Sequence, residues 1–268
     1  MNHVNQVDIQ LVKLPSTETF KRKAPANLII CSKLPRAEKM AIFENRKRKI
    51  LRFLIEENYS SLENLANLLT VPKQTVLRIT KHLRDKQYLT KTEINIGLAR
   101  SISVFQPTPT GIMFCASDTE LLPELRELSK VNAVTIYHDL QLQKIRLNLE
   151  KQGYTNFKSS WQLTRDLRKR KEKAPKIPDY ICNNPQNEKI AIEYERTIKT
   201  TKRYREIIGQ YLDIRARGII KKVQYITDHG FANKLRQMFN NIDIIYRQGK
   251  TEKLNHIDLE FFSFSEFA

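Results

Sequence analysis

The spacing of apolar residues changes partway along this chain, and that change limits its fold more than any other feature. Through the stretch from Arg46 to Leu83 apolar residues recur at intervals of three and four, whereas from Lys189 to Glu195 they alternate. The first spacing lines one side of a helix with 3.6 residues per turn. The second lines one face of a pleated strand. A helical first part followed by a strand-bearing second part predicts a mixed α+β or α/β chain. Residues 46–57 set Ile50, Phe53 and Leu54 on one helical face. Ser60 is placed to cap a second helix, with Glu63 three residues on completing a capping box, and Leu62, Leu65, Ala66 and Leu69 follow at helical spacing. Pro72 can open a third helix, because the N–H it lacks has no partner in the first turn. In that helix Val76, Ile79 and Leu83 face inward, which leaves Gln74, Arg78 and Lys81 on the far side with Lys73, Thr75 and His82 flanking them. Two strand-like runs come next, Tyr88 to Ile94 and Ser101 to Phe105, joined by a tip containing Gly97 and Arg100.

The charge balance bears on the partner. The 268 residues include 47 Lys and Arg against 29 Asp and Glu, a net +18. So large an excess concentrates polyanions around the molecule, and nucleic acid is the expected one. The far side of the third helix fits that expectation: amide and guanidinium groups can read base edges and ammonium groups can hold phosphates. A three-helix unit used only for packing or dimerisation is the plainer alternative. No run approaches the ~20 apolar residues that span a bilayer, and Met1 to Gln10 lacks the apolar core of a leader. The expectation is a cytoplasmic protein with no membrane insertion. Cys31, Cys115 and Cys182 are too isolated for a disulfide framework or a zinc pattern and read as buried thiols. Residues 1–40, punctuated by Pro15, Pro25 and Pro35 and carrying Lys21, Arg22 and Lys23, read as a basic arm with one short strand near Leu28 to Ile30. Residues 41–115 read as the helical and hairpin module, and 119–268 as a separate α/β domain.

In the second half the chemistry gathers on two strands. Lys176 to Cys182 and Lys189 to Glu195 have strand composition, and Asn183-Asn184-Pro185 between them marks a turn, so a hairpin is expected. Alternation sends Ile190, Ile192 and Tyr194 to one face and Ala191, Glu193 and Glu195 to the other, with Asp179 on the neighbouring strand able to join the two glutamates. Carboxylates so crowded repel, and a divalent cation, Mg²⁺ or Mn²⁺, would relieve them and activate a water for attack on phosphorus. The alternative is that each glutamate pairs with Lys or Arg. Lys199 follows closely, and Lys202 and Arg203 open an amphipathic helix that buries Tyr204, Ile207, Ile208, Tyr211 and Leu212. Seven of the twelve residues from Arg165 to Lys176 are basic, among them Arg168, Lys169 and Arg170, and they are expected to track phosphates toward the hairpin. Upstream, His138 to Gln152 reads as a helix with Leu142, Ile145 and Leu149 inward. Five scattered histidines exclude a clustered histidine metal site serving a catalytic tyrosine. Trp161 reads as core or as a platform for an unpaired base. Ile242 to Tyr246 and Ile257 to Phe262 are strand-like and are expected to extend or flank the sheet.

Three resemblances follow from these residues. The helices and hairpin resemble the winged helix-turn-helix family over about 65 residues, with Asp85-Lys86-Gln87 where the family usually turns on a glycine. The order of helix, strands, carboxylate hairpin, helix and strand resembles the PD-(D/E)XK restriction-endonuclease-like fold. Pro178-Asp179 stands for the first half of its motif and Glu193-Tyr194-Glu195 for the second, with Glu where Lys is usual. His138 to Leu140, Trp161, Pro178-Asp179, Ile192 to Lys199 and Arg203-Tyr204 together resemble the replication-relaxation family, near the plasmid relaxases of the mobilisation-protein-C type. The last resemblance implies a relaxase that binds double-stranded DNA at a plasmid transfer origin and nicks one strand. It also implies an accessory mobilisation protein and a coupling ATPase as partners. Asp179, Glu193 and Glu195 would hold the metal, Lys199 would stabilise charge, and His138 would edge the site. A non-catalytic DNA-binding protein of plasmid replication or regulation, and a restriction-type enzyme cutting both strands, are the competing expectations.

Overall fold

The computed structural model describes residues 34–97, 100–115 and 125–267. The strand expected near Leu28 to Ile30, the basic run Lys21 to Lys23 and Cys31 lie outside the described residues. From Phe43 onward the described residues form one compact unit.

The fold is α+β. A long helix, α1 (Arg36–Glu57), begins ten residues ahead of the periodic stretch that announces it, so its first turns fall within what the sequence suggests is an arm. It buries Ile50, Leu51, Phe53 and Leu54. A two-residue strand, β1 (Ser60–Ser61), leads into α2 (Leu62–Leu69). The cap of α2 is Ser61, whose hydroxyl accepts from the backbone N–H of Asn64; the expected cap, Ser60, instead donates its hydroxyl to Gln143 at 2.7 Å. That one-residue shift has a physical cause. Ser60 pairs with Phe105 in the sheet and is fully buried, so its side chain is drawn to a distant partner rather than to the helix end. Helix α3 (Lys73–Asp85) follows with Pro72 as its N-cap and buries Val76, Ile79 and Leu83. Strands β2 (Leu89–Gly97) and β3 (Arg100–Pro107) form an antiparallel hairpin, with β1 on the far side of β3. A short helix, α4 (Pro109–Cys115), closes this part, where Gly111 lies so close to the Tyr88 carbonyl that an added Cβ would sit 2.1 Å from its oxygen.

Helix α5 (Ala133–Lys151) has apolar residues on two sides, and this decides its place. Leu147 joins the core of α1, α2 and α3, while Leu142, Ile145 and Leu149 pack on the second sheet. That sheet takes in β4 (Thr155–Ser159), β5 (Tyr180–Asn183), β6 (Lys189–Glu195), β7 (Lys222–Thr227) and β10 (Phe262–Glu266), in that spatial order. Strands β4, β5 and β6 pair antiparallel, and β6, β7 and β10 pair parallel. Between β4 and β5 lies α6 (Ser160–Arg170), closed at its start by a capping box of Ser159 and Gln162. The basic run is therefore helical as far as Arg170. Helix α7 (Thr201–Ala216) is the crossover from β6 to β7, the long connection that parallel neighbours require. It lies on the sheet face opposite α5, burying Tyr204, Ile207, Ile208, Tyr211 and Leu212 together with α8 (Ala232–Asn240). The first strand-like run of the tail forms β8 (Ile244–Arg247), which pairs only with β9 (Lys250–Lys253) and packs on α7 instead of extending the sheet. The second run is a 3-10 turn, His256–Phe261, and only the residues after it, in β10, join β7. No helix among the described residues is long and apolar enough to cross a membrane.

Candidate functional site

The site forms where β5 begins and β6 ends. The antiparallel register sets Tyr180 against Ile192, which leaves Asp179 just ahead of β5, beside the end of β6. Alternation along β6 follows the expected sides: Ile190, Ile192 and Tyr194 join the core beneath α5, and Ala191 joins the core beneath α7. Glu193 and Glu195 are therefore directed toward α7, where they meet hydroxyls. Tyr211 donates to Glu193, and Tyr204 donates to Glu195 at 3.1 Å. Each glutamate also has its own ammonium group. Lys176 lies 2.7 Å from Glu193, and Lys199 is ion-paired with Glu195.

Asp179 differs from both. One of its oxygens accepts the backbone N–H of Tyr194 at 2.8 Å, and the other lies 3.7 Å from His138 Nε2. Burial, followed by the neighbouring charge of Glu193, pushes its carboxyl up to about 8, against the opposing pull of the Tyr194 N–H and Lys176. His138 stacks on the Tyr194 ring, with centroids 5.4 Å apart, and burial lowers its pKa below the ordinary imidazole value. The Tyr194 hydroxyl donates in turn to Asp228 at 2.6 Å. On β7 the register partners of Glu193 and Glu195 are Tyr225 and Thr227, whose buried hydroxyls have no hydrogen-bond partner among the described residues.

All five expected catalytic residues, Asp179, Glu193, Glu195, Lys199 and His138, thus lie in one neighbourhood. The three acids are not, however, drawn together as one ligand set. Among the described residues no group of three or more His, Cys, Asp and Glu side chains is arranged to hold a metal ion. Glu195 is committed to Lys199 and Tyr204. Glu193 is held likewise by Lys176 and Tyr211, but it is the glutamate whose charge acts on Asp179, so Asp179 and Glu193 form the closer acidic pair. Mg²⁺ binds through one or two carboxylates and completes its shell with water and phosphate oxygens, so this pair suits that chemistry provided Lys176 yields its place.

The chain has no match among protein-family models or among curated proteins.

The expected DNA contacts divide by location. On α3, Lys73, Gln74, Arg78 and Lys81 are exposed and Thr75 is half-buried. His82 turns partly inward, its Nε2 3.3 Å from the buried ammonium of Lys47. Arg100 opens β3 opposite Gly97, and its side chain lies outside the described residues. Arg168, Lys169 and Arg170 are exposed in the last turn of α6. Lys202 and Arg203 are exposed in the first turn of α7, Arg203 bridging to Glu206 at 2.7 Å. Trp161 is half-buried in the first turn of α6, its ring centroid 5.7 Å from the Arg126 guanidinium, and its indole N–H has no partner among the described residues.

Two features of the site escape the sequence reading. Tyr204 and Tyr211 read as core, and their rings are, but their hydroxyls bind the glutamates. Their seven-residue spacing puts both on the face of α7 that meets β6, which is the available sign of that role. Lys176 reads as one more cation of a basic run, and nothing in its sequence neighbourhood marks it as the partner of Glu193.

Proposed function

We propose that this chain binds DNA through α3 and the β2–β3 hairpin, in the manner of a winged helix, and cleaves one DNA strand at Asp179 and Glu193. The reading carries with it the activity of a plasmid mobilisation relaxase with a PD-(D/E)XK-like core. Asp179 supports it most directly: a mostly buried carboxyl just ahead of β5 that accepts the Tyr194 N–H and is held up to about 8 by burial and then by the charge of Glu193. A divalent cation bound beside it would favour the carboxylate, with the displaced proton passing to solvent. The β4-β5-β6-β7-β10 order, antiparallel on one side and parallel on the other, and the crossover of α7 agree with a nuclease core. The β1-β3-β2 sheet beside three helices agrees with a winged helix.

Asp179 and Glu193 would hold a Mg²⁺ or Mn²⁺ ion, whose chemistry when bound is to acidify a water and to neutralise phosphate charge. The chain's own groups account for the rest. His138, neutral near pH 7 because burial lowers its pKa, accepts a proton. The Tyr194 N–H fixes the orientation of Asp179. Lys199, half-exposed beside Glu195, offers positive charge to the phosphate. Lys202, Arg203 and the last turn of α6 hold neighbouring phosphates.

A supercoiled plasmid carrying a transfer origin provides the test. In Mg²⁺ or Mn²⁺ the protein is expected to give open circles, EDTA to abolish them, and Asp179→Ala to abolish them while duplex binding persists. Linear product would mean a restriction-type cut. The ion pairs of Lys176 and Lys199 with the glutamates favour a second reading, a non-catalytic DNA-binding protein of plasmid replication or regulation. Intact supercoiled DNA in every divalent metal, with duplex binding retained, would establish it.

A further inference from the structure

On the α7 side of the sheet a cleft of about 600 Å³ opens between α6, the segment 171–178 and the end of α7. Its floor is aliphatic: Leu163, Leu167, Ile177 and Ile181 are half-buried there, and Ile219 at the lip is 42% exposed. Its rim is cationic. Lys158 and Arg170 are balanced by Asp166 and Glu172, but Lys173, Lys189 and Arg217 are exposed, and no acidic partner to them is found among the described residues. The inner end of the cleft is formed by Lys176 and Tyr211, the two residues that hold Glu193.

We propose that this cleft binds an unpaired segment of DNA strand adjoining the cleavage position. Three observations select that occupant. Unmatched cations at the rim call for a polyanion. An aliphatic floor suits bases freed from pairing, whereas a duplex keeps its bases stacked inside. Continuity through Lys176 and Tyr211 leads a strand whose phosphate lies at Asp179 and Glu193 straight into the cleft. An acidic peptide would satisfy the rim, but nothing ties it to the carboxylate end. The inference builds on the proposed nuclease reading and gives it a substrate state, a locally melted origin in place of an intact duplex.

The test uses the full chain, a short fluorescent oligothymidylate, and a duplex of similar length. The triple variant Lys173→Glu, Lys189→Glu, Arg217→Glu is expected to bind the single strand at least about tenfold more weakly. Its log-affinity should fall less steeply with log salt, by roughly 2, for three lost phosphate contacts. Duplex affinity, carried by α3, should change little by comparison. Ile219→Asp, an exposed change that spares the core, should weaken single-strand binding without altering duplex binding. Unchanged single-strand affinity in both variants overturns the proposal, as does equal loss for duplex and single strand. Binding of fluorescent polyglutamate by a parent protein with no measurable affinity for oligothymidylate also overturns it, in favour of an acidic partner. Failure of the nuclease reading is separable: plasmid would stay supercoiled in every metal while the single-strand binding still responded to the variants.

Discussion

Asp179 is an acid whose charged form the fold disfavours, through burial and then through the neighbouring charge of Glu193. Its pKa rises from an ordinary 3.8 to about 8 in the fold. Unfolded chains release this proton near the ordinary value, whereas the folded chain keeps it until near 8. The unfolded state therefore binds fewer protons between these limits, and the Asp179 contribution to stability falls as pH rises through that window. Asp179→Asn keeps an oxygen to accept the Tyr194 N–H but cannot ionise. We expect the melting temperature of the parent, measured without metal, to decline relative to Asp179→Asn between pH 4 and pH 8. Parallel melting curves across that range would show that the carboxyl titrates normally. The tyrosines act differently. Tyr211 and Tyr225 are pushed above the ordinary phenol value, by burial and then by Glu193, so both hydroxyls keep their protons at every physiological pH.

At the level of elements, α5 joins the two halves through charge as well as packing. Arg146 reaches Glu56 and Glu57 at the end of α1, each at 2.5 Å, and Glu150 at 2.8 Å in its own helix. Glu57 also accepts from the Tyr180 hydroxyl on β5 at 2.8 Å, so one buried carboxylate links α1, α5 and the sheet. Nearby, Tyr59 donates to Asp139 at 2.5 Å, and Gln143 serves Ser60, Asn64 and the Tyr59 carbonyl. Removing one member of such a network strands its partner in a low dielectric. Arg146→Met is expected to cost about 3–5 kcal/mol in urea unfolding, and Arg146→Met with Glu57→Gln much less than that. A second contact of this kind is steric. Gly209 in α7 abuts the β8 backbone so closely that an added Cβ would lie 2.1 Å from the Tyr246 oxygen. Gly209→Ala should force the β8–β9 hairpin off the helix, at about 1–3 kcal/mol by chemical denaturation, with faster amide exchange in β8 and β9 as its specific sign.

For the whole molecule, the proposed DNA binding rests on the net charge of +18 for its overall attraction and on α3 for where the duplex would be read. Arg78 and Lys81 are exposed on the side away from the core. The double variant Arg78→Ala, Lys81→Ala is expected to weaken duplex binding and to reduce the dependence of log-affinity on log salt by about 1.8, as two lost phosphate contacts require. An unchanged slope would mean that the duplex lies elsewhere. Because α5 contributes to the core of the helical part and to that of the sheet, the distance between α3 and the carboxylates is fixed by packing instead of by a linker.

Periodicity alone, by way of local physics, was enough to locate the inward residues of α1, α3, α5 and α7, the β5–β6 hairpin, and the side of β6 that carries Glu193 and Glu195. Apolar side chains must leave water, and in a helix or a strand only one spacing lets them do so together. Local pattern could not say where a buried polar group finds its partner, because that depends on residues far away in the chain. Ser60 looks like a cap until Gln143 arrives, Lys176 looks like one of seven similar cations until Glu193 faces it, and Tyr204 and Tyr211 look like plain core until β6 supplies carboxylates beneath them. The choice between three acids sharing one site and two glutamates each held by a lysine was likewise tertiary. It is set by competition among burial, repulsion and ion pairing, which takes effect only once the strands and helices are in contact.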